Sequence, residues 1–218
     1  EDLLPQVDVR PFQPDHHLSD LVTLLRHEGF DRILVVDDGS DSACRPVFEA
    51  TEAAGALVLR HAANLGKGRA LKTGLNEAMV RGLAENGIIT ADADGQHTVE
   101  DIARIGEAMA EHPGALVLGV RAFAGDVPLK SRIGNGLTRA AFSLIHGGRL
   151  RDTQTGLRGL PTRRLPLFLA LAGERYEYEM NMLLEARPQG IPLVQVPIAT
   201  IYIEGNRRSH YRPLQDSL

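Results

Sequence analysis

The chain has 218 residues, of which 43% are hydrophobic and 24% are charged, and its formal net charge at pH 7 is −4. This composition is typical of one folded α/β domain and excludes an intrinsically disordered chain. No run of about 18 apolar residues occurs, which excludes a membrane-spanning helix within the sequence, and the single cysteine, Cys44, excludes an intramolecular disulfide framework.

Charge is distributed unevenly along the chain. Residues 1–120 contain 10 Lys and Arg against 20 Asp and Glu, whereas residues 121–218 contain 14 against 8, so the two parts carry −10 and +6. A positive second part indicates an anionic partner. The alternative is chance scatter of charge over a solvated surface.

Short runs of Val, Ile and Leu predict the strands. In chain order they are "QVDV" near the start, "RILVVDDGS" ending at Asp37, "ALVLRHAAN" ending near His61, "GIITADAD", "ALVLGVR" and the late segment 191–203. Continuous apolar runs of this kind are typical of parallel strands that are covered on both faces. Pro197 interrupts the last segment, so we expect a bend or an edge strand there.

Between the strands, three apolar stripes recur at helical spacing and predict three helices. Thr98 followed by Asp101 marks the start of the second helix as a near capping box. The stripes consist of Leu71, Leu75, Ala78 and Met79; Ile102, Ile105 and Met109; and Ile133, Leu137, Ala140 and Leu144. The alternation predicts an α/β fold, a Rossmann-like, doubly wound and mostly parallel sheet with flanking helices, in one domain over residues 1–218.

Four aspartates directly follow predicted strands, Asp37 and Asp38 after one and Asp92 and Asp94 after another. Because ligands of open α/β sheets bind at the carboxyl ends of the strands, we expect these carboxylates to gather at one edge. Such a cluster repels itself unless a cation offsets the charge, and its oxygens suit Mg²⁺ or Mn²⁺ together with substrate phosphates. The pattern predicts a metal and diphosphate site; the alternative is a set of solvated turn residues.

The segment "HAANLGKGRALKTG", residues 61–74, places a glycine on each side of Lys67 directly before a predicted helix. A glycine-rich helix N-terminus can receive an anion, although a simple helix-start turn explains the same pattern. The segment is not a P-loop, because Gly68 follows the lysine. It is not the dinucleotide fingerprint either, because Leu71 occupies the third glycine position.

In this order and spacing, "VVDDGS", "NLGKGRALKTG" and "ADADGQH" resemble the family 2 glycosyltransferases of the GT-A fold. "LGVRAF", "SRIGN", "DTQTGLRG" and "ERYEYEMNMLLEA" are similar to the branch that glycosylates polyprenyl phosphates, related to dolichol-phosphate mannose synthase. One departure concerns the donor: "VRPFQP" stands where the family usually has Pro-Ala-Tyr-Asn in a loop that touches the nucleotide, so donor preference stays open.

The resemblance implies a nucleotide-sugar and metal site in about residues 1–120. Asp38 would contact the nucleotide base with Asp37 beside it, and Lys67 would lie near the nucleotide. The D-x-D-x-Q pattern would hold the donor diphosphate and the metal, Mg²⁺ or Mn²⁺. Its members are Asp92, Ala93, Asp94 and Gln96, with the metal on Asp92, Asp94 and Gln96. His97 is a further metal ligand or, alternatively, a turn residue.

For about residues 121–218 the resemblance implies an acceptor site. The positions that would grip the acceptor phosphate are Arg121, Arg132, Asn135 and Arg208, with Arg207 as the alternative to Arg208. Asp152 would line the reaction centre, where it orients the acceptor or the sugar or acts as a general base; with Asp94 and Arg132 it forms the catalytic set. Glu177 and Glu179 either contact the sugar or the acceptor arginines, or form a helix-start pair.

The implied activity is an inverting transfer of a hexose from a nucleotide diphosphate sugar, UDP-glucose in preference to GDP-mannose, to undecaprenyl or dolichyl phosphate. A phosphate monoester carries about −1.5 to −2 charge at pH 7 and is already a nucleophile, so it needs arginines for positioning rather than a strong base. The alternatives are a family 2 transferase to a saccharide or other hydroxyl acceptor, and a nucleotide-sugar-binding module without catalysis.

The expected location of such an enzyme is the cytoplasmic face of the membrane, either peripherally or through segments absent from this chain. Many family members continue into transmembrane helices, so we expect a truncation after residue 218. The basic residues lack interleaved aromatics, so a nucleic acid is not expected as a partner. The sequence leaves open whether the protein forms a homo-oligomer.

Overall fold

The computed structural model describes residues 18–121 and 155–199. In chain order the elements are α1 (Leu18–His27), β1 (Leu34–Asp37), α2 (Arg45–Ala53), β2 (Leu57–Arg60), α3 (Lys67–Val80), β3 (Ile88–Thr90), α4 (Val99–Glu111), β4 (Leu116–Arg121), β5 (Arg158–Leu160), α5 (Leu165–Ala170), α6 (Glu177–Ala186) and β6 (Leu193–Ile198). Short 3₁₀ helices, Ser42–Cys44 and Thr162–Arg164, precede α2 and α5. Within these ranges no helix has the length and hydrophobicity to span a bilayer.

The described strands pair in two groups. β1 and β2 are parallel, with Asp37 opposite Arg60 at their carboxyl ends. The other four strands form a sheet in the order β3–β5–β4–β6, in which β4 and β6 are parallel. β5 runs antiparallel to β3 and β4, with Thr90 opposite Arg158. Because β5 is antiparallel, its amino end lies beside the carboxyl end of β3.

The α/β fold predicted from the sequence is confirmed. The predicted strands within 18–121 are present as β1 to β4, and Pro197 lies in β6 at an edge of the described sheet, as expected. β5 was not predicted, because it has only three residues, contains a glycine and begins with an arginine, which a short-range pattern assigns to the surface. The predicted strand "QVDV" and the stripe from Ile133 to Leu144 lie outside the described residues.

Helices pack on both faces of the four-stranded sheet, and β4 shows how. Leu116 and Leu118 face one hydrophobic cluster, whereas Val117 faces the other, as the alternation of side chains along a strand requires. The first cluster is built with α3, α5 and α6, and the second with α1 and α4. Their buried members include Leu75, Phe168 and Met182 in the first and Leu21, Ile102 and Ile105 in the second.

The start of α4 fixes the connection that carries "ADADGQH". Thr98 caps the helix as predicted, because its Oγ1 accepts a hydrogen bond from the backbone N–H of Asp101 at 3.0 Å. The buried carboxylate of Asp101 accepts from the N–H of Ala199 at 3.1 Å and pairs with Arg104. The helix start is thereby tied to the residue that follows β6, which anchors the loop after β3 from its far side.

Candidate functional site

Asp38 holds the glycine turn that leads into α3. Its Oδ1 accepts from the N–H of Leu65 at 2.9 Å and its Oδ2 from the N–H of Gly66 at 2.8 Å. His61 lies 2.6 Å from Oδ1 through Nδ1 and 2.9 Å from the hydroxyl of Thr73 through Nε2. Burial raises the pKa of Asp38, but the two backbone hydrogen bonds and His61 outweigh it and lower that pKa. The turn therefore stabilises Asp38 in its charged form.

The glycines around Lys67 allow a second segment to approach the start of α3. Gly66 has a φ of 104°, and a Cβ there would lie 2.5 Å from the carbonyl oxygen of Glu174. A Cβ on Gly68 would lie 2.7 Å from the Cβ of Tyr178. The Glu174 carbonyl also accepts from the N–H of Arg69 at 2.9 Å. Close packing against residues 174–178 thus explains the glycine pattern, which the sequence left open between an anion site and a helix-start turn.

Lys67 joins two carboxylates from distant parts of the chain. Its Nζ lies 2.8 Å from Oδ1 of Asp92 and 2.8 Å from Oε2 of Glu179. The ring centroid of Tyr176 lies 5.9 Å from the same nitrogen, within cation–π range. The side chains of Lys67, Asp92 and Glu179 are 23%, 31% and 7% exposed, so the ammonium is largely enclosed.

The charges of this cluster stabilise one another. Burial lowers the pKa of Lys67, but the negative charges of Glu179 and Asp92 raise it by more, so the net shift is upward. Burial raises the pKa of Asp92, while neighbouring His97 and Lys67 hold it well below its usual range. The His97 Nε2 lies 3.9 Å from Oδ2 of Asp92, beyond hydrogen-bond distance, so its effect is electrostatic. Lys67 and Asp92 are therefore both charged near neutral pH.

Gly156, the last residue of "DTQTG", lies directly against Asp92. A Cβ on Gly156 would be 2.5 Å from Oδ1 of Asp92 and closer still to Oδ2. The Thr90 hydroxyl donates to the Gly156 carbonyl at 3.0 Å, which locks this segment beside the end of β3. Two motifs that the sequence separates by some sixty residues therefore meet at one carboxylate.

Behind Lys67, Arg158 supports Glu179. Arg158 is 1% exposed, its Nε donates to the Thr155 carbonyl at 3.1 Å, and its Nη1 donates to the carbonyl of Glu179. The Nε also lies 3.8 Å from Oε1 of Glu179. Lys67 and Arg158 thus face Asp92 and Glu179, which gives two positive and two negative charges in one enclosed cluster.

Comparison with known proteins identifies the family to which the chain belongs. The sequence profile described as Glycosyl transferase family 2 matches residues 18–158. The chain belongs to glycosyltransferase family 2. An uncharacterized protein of Methanocaldococcus jannaschii is 33% identical over 204 residues, which cover 91% of this glycosyltransferase and 82% of the relative.

A second relative has a specific name. UDP-N-acetylglucosamine–dolichyl-phosphate N-acetylglucosaminyltransferase of Methanococcus voltae is 29% identical over 224 residues, covering 93% of this chain and 88% of that protein. Among solved structures, glucosyl-3-phosphoglycerate synthase of Mycobacterium tuberculosis superposes with a TM-score of 0.67 at 16% identity, over 93% of this chain and 71% of the synthase. At that identity the likeness shows the fold, which is GT-A.

The predicted metal ligands fit a divalent cation by their chemistry. Asp94 is exposed, and its Oδ1 accepts from the N–H of Gln96 at 3.0 Å, so the loop offers a second carboxylate two residues after Asp92. Neither ring nitrogen of His97, which is 6% exposed, has a hydrogen-bond partner among the described residues. Across residues 18–121 and 155–199, no three His, Cys, Asp or Glu side chains converge on a preformed site. Magnesium and manganese sites need only one or two carboxylates plus substrate phosphates.

The other predicted site residues divide into two groups. Asp37 is buried and its Oδ1 accepts from the N–H of Ser40 at 2.9 Å, Ala93 is exposed, and Arg121 ends β4 opposite Ile198. Outside the described ranges lie Arg132, Asn135, Asp152, Arg207 and Arg208, whose roles stay predictions.

Sequence reasoning missed Arg158 and did not separate Glu179 from Glu177. Glu177 accepts from the N–H groups of Glu174 and Arg175, and it therefore caps the segment before α6. Two residues further on, Glu179 points to another side of the helix and into the protein, because a helix turns about 100° per residue. The sequence contained a signal that separates the two glutamates, because residues two positions apart in a helix lie on different faces.

Replacing Gly156 with alanine is expected to disturb the site directly. The new methyl group would overlap the Asp92 carboxylate, so Gly156→Ala should lower both the melting temperature and turnover. Gly74→Ala is the matched control: a Cβ there would meet Val36 at an ordinary 3.4 Å, and alanine favours a helix interior by about 1 kcal/mol. Thermal melting and initial rates measure both variants; equal stability for the two would contradict the packing described.

The stability contributed by Asp38 should depend on pH. Because its pKa is lowered in the folded protein, its charge stabilises the fold above the ordinary carboxyl pKa, and this contribution is lost as the pH falls below about 4. Asp38→Asn should cost about 1–3 kcal/mol at pH 7, and the gap to wild type should narrow as the pH falls through the lowered pKa of Asp38. Urea unfolding over a series of acidic pH values measures it, with exposed Asp31→Asn as the control; a gap independent of pH would refute the assignment.

Proposed function

We propose that this glycosyltransferase moves a hexose, with inversion at the anomeric carbon, from a UDP-sugar to a polyprenyl phosphate at a membrane surface. One observation carries the proposal: Asp92 of "ADADGQH" is bonded to Lys67 of the glycine turn and lies against Gly156 of "DTQTG". Two motifs of family 2 and one motif of its polyprenyl-phosphate branch thus contribute to one point, as a single donor site requires.

The proposed donor is a uridine diphosphate sugar. The Methanococcus voltae relative is named for a UDP-N-acetylglucosamine donor, and the mycobacterial synthase has been crystallised with UDP and with UDP-glucose and Mn²⁺. Both support uridine over guanosine. The resemblance of the motifs favours glucose as the sugar, and N-acetylglucosamine is the alternative that the name of the relative supplies.

Mg²⁺ or Mn²⁺ is proposed to be held by Asp92, Asp94 and Gln96. When bound, the metal supplies charge neutralisation at the diphosphate leaving group. Lys67 keeps a positive charge beside the same group, because its raised pKa leaves it protonated. Asp38 contributes by fixing the backbone turn that carries Lys67, whether or not it also contacts the base.

The proposed acceptor is a lipid phosphate. The Methanococcus voltae relative is named for dolichyl phosphate, and the excess of 14 Lys and Arg over 8 Asp and Glu in residues 121–218 suits an anionic acceptor and anionic headgroups. A phosphate dianion attacks without a strong base. Arg121, Arg132, Asn135 and Arg208 are therefore assigned to positioning it, at the cytoplasmic face of a membrane.

A transfer assay tests the proposal. Radiolabelled UDP-glucose, UDP-N-acetylglucosamine and GDP-mannose are each offered with Mn²⁺ and undecaprenyl or dolichyl phosphate, and label is counted in the organic phase. We expect lipid-linked label from a UDP-sugar only. Label on a soluble saccharide, offered in a parallel reaction, would establish the other acceptor class, and binding of UDP-sugar without turnover would establish a non-catalytic module.

Two variants separate the donor half of the site from the acceptor half. Asp94→Ala should lower kcat by about a hundredfold or more, because charge development at the leaving group is no longer compensated. Arg132→Ala should mainly raise the acceptor KM, by about tenfold, as loss of a charged hydrogen bond implies. Arg81→Ala, at the exposed end of α3, is the control for both. Normal turnover in Asp94→Ala would remove the metal assignment.

A further inference from the structure

Lys67 lies where a metal-binding carboxylate needs its counter-charge. We propose that Lys67 is the internal counter-ion of Asp92 in the metal-free protein, and that Glu179 takes over the ammonium when a divalent cation binds Asp92. Glu179 is then a positioning residue that sets how readily the site accepts metal. The inference rests on the proposed function, since it requires a metal on Asp92.

The distances make this exchange a small movement. The Nζ of Lys67 is 2.8 Å from an oxygen of Asp92 and 2.8 Å from an oxygen of Glu179. An ammonium has three donors, so it remains paired if it moves away from Asp92. Glu179, at 7% exposure, is also the less solvated of the two carboxylates, which strengthens its attraction for the ammonium.

Glu179 has unused capacity to accept the ammonium. Its Oε1 is buried and has no hydrogen-bond partner among the described residues. The Nε of Arg158 lies 3.8 Å from that oxygen, and a hydrogen bond from Arg158 to the backbone carbonyl of Glu179 holds the residue in place. A second hydrogen bond from Lys67 would therefore satisfy an oxygen that has no hydrogen-bond partner among the described residues.

Asp92, by contrast, has little room for two cations. Oδ1 is bonded to Lys67, and Gly156 packs so close that a Cβ built on it would overlap both oxygens. A divalent cation on this carboxylate would repel the ammonium at short range. Metal binding therefore favours the arrangement in which Lys67 pairs with Glu179.

The charge balance of the cluster predicts whether each variant strengthens or weakens Mn²⁺ binding. Without metal, Lys67 and Arg158 balance Asp92 and Glu179, so Mn²⁺ alone is expected to bind weakly and UDP to strengthen it by supplying negative charge. Lys67→Met leaves the cluster with one excess negative charge, whereas Glu179→Gln leaves one excess positive charge. Both variants break the same ion pair, but they change the charge in opposite directions.

The experiment is a Mn²⁺ titration of the 218-residue chain, followed by the electron paramagnetic resonance signal of the free ion, with and without UDP. We expect Lys67→Met to tighten Mn²⁺ binding in the absence of UDP by about tenfold and Glu179→Gln to weaken it by about tenfold, the scale of effects from residues behind metal ligands. The double variant, which restores the balance, should lie near wild type.

The controls change the same residue types on the same helices. Lys72→Met removes a lysine of α3 that pairs with Glu174, and Glu185→Gln neutralises a glutamate of α6 that accepts a hydrogen bond from Gln189. Both should bind Mn²⁺ as wild type does. If Lys67→Met does not fold, as melting in EDTA would reveal, the comparison of Glu179→Gln with Glu185→Gln decides alone.

Two results would overturn the inference. Weaker Mn²⁺ binding in both Lys67→Met and Glu179→Gln would mean that the ion pair only supports the shape of the site. Equal binding by Glu179→Gln and Glu185→Gln would mean that Glu179 plays no part. If wild type binds no Mn²⁺ even with UDP, the metal site of the proposed function is itself wrong, which is a distinct failure.

Discussion

The contact between Lys67 and the carboxylates of Asp92 and Glu179 is the interaction on which the rest of the site depends. It connects the first residue of α3, the loop after β3 and the first turn of α6. Removing one partner of an enclosed ion pair leaves an uncompensated charge and is costly, whereas apolar residues of similar volume would stabilise the fold as well. Stability alone therefore does not explain why charged residues occupy this position, whereas the proposed role in holding an anionic ligand and its metal would explain it.

The placement of Lys67 follows from ordinary local chemistry. Asp38 accepts two backbone hydrogen bonds from the turn before α3, and this fixes where the helix begins. Because Gly66 and Gly68 have no side chains, the segment 174–178 can pack closely against the start of α3. That segment brings Glu179 to the lysine. The buried Asp101 ties the start of α4 to the residue after β6, so the loop with Asp92 is held from its other end.

Much of the fold followed from patterns of short range. Runs of Val, Ile and Leu marked β1 to β4, because strands covered on both faces need continuous apolar residues. β5 was not predicted because its three residues include a glycine and an arginine. Burial of Arg158 depends on its hydrogen bonds to the carbonyls of Thr155 and Glu179. No local pattern encodes a partner twenty residues away.

The candidate site was predictable in its motifs and not in its contacts. The sequence predicted carboxylates at strand ends and a cation to offset them. In the described structure the nearest positive charge to Asp92 comes from Lys67, a side chain that the resemblance placed only near the nucleotide. A pair of this kind depends on the close approach of α3, the β3 loop and α6, which is a property of tertiary packing. The sequence places Glu177 and Glu179 on different helical faces, but only the packing of α6 shows that Glu179 lies on the buried one.

The most direct measurement is a crystal structure of the chain with UDP and Mn²⁺. We expect Asp92 and Asp94 to hold Mn²⁺ at the diphosphate, and the ammonium of Lys67 to pair with Glu179 and no longer with Asp92. Mn²⁺ bound elsewhere, or a nucleotide site remote from Lys67, would contradict this expectation.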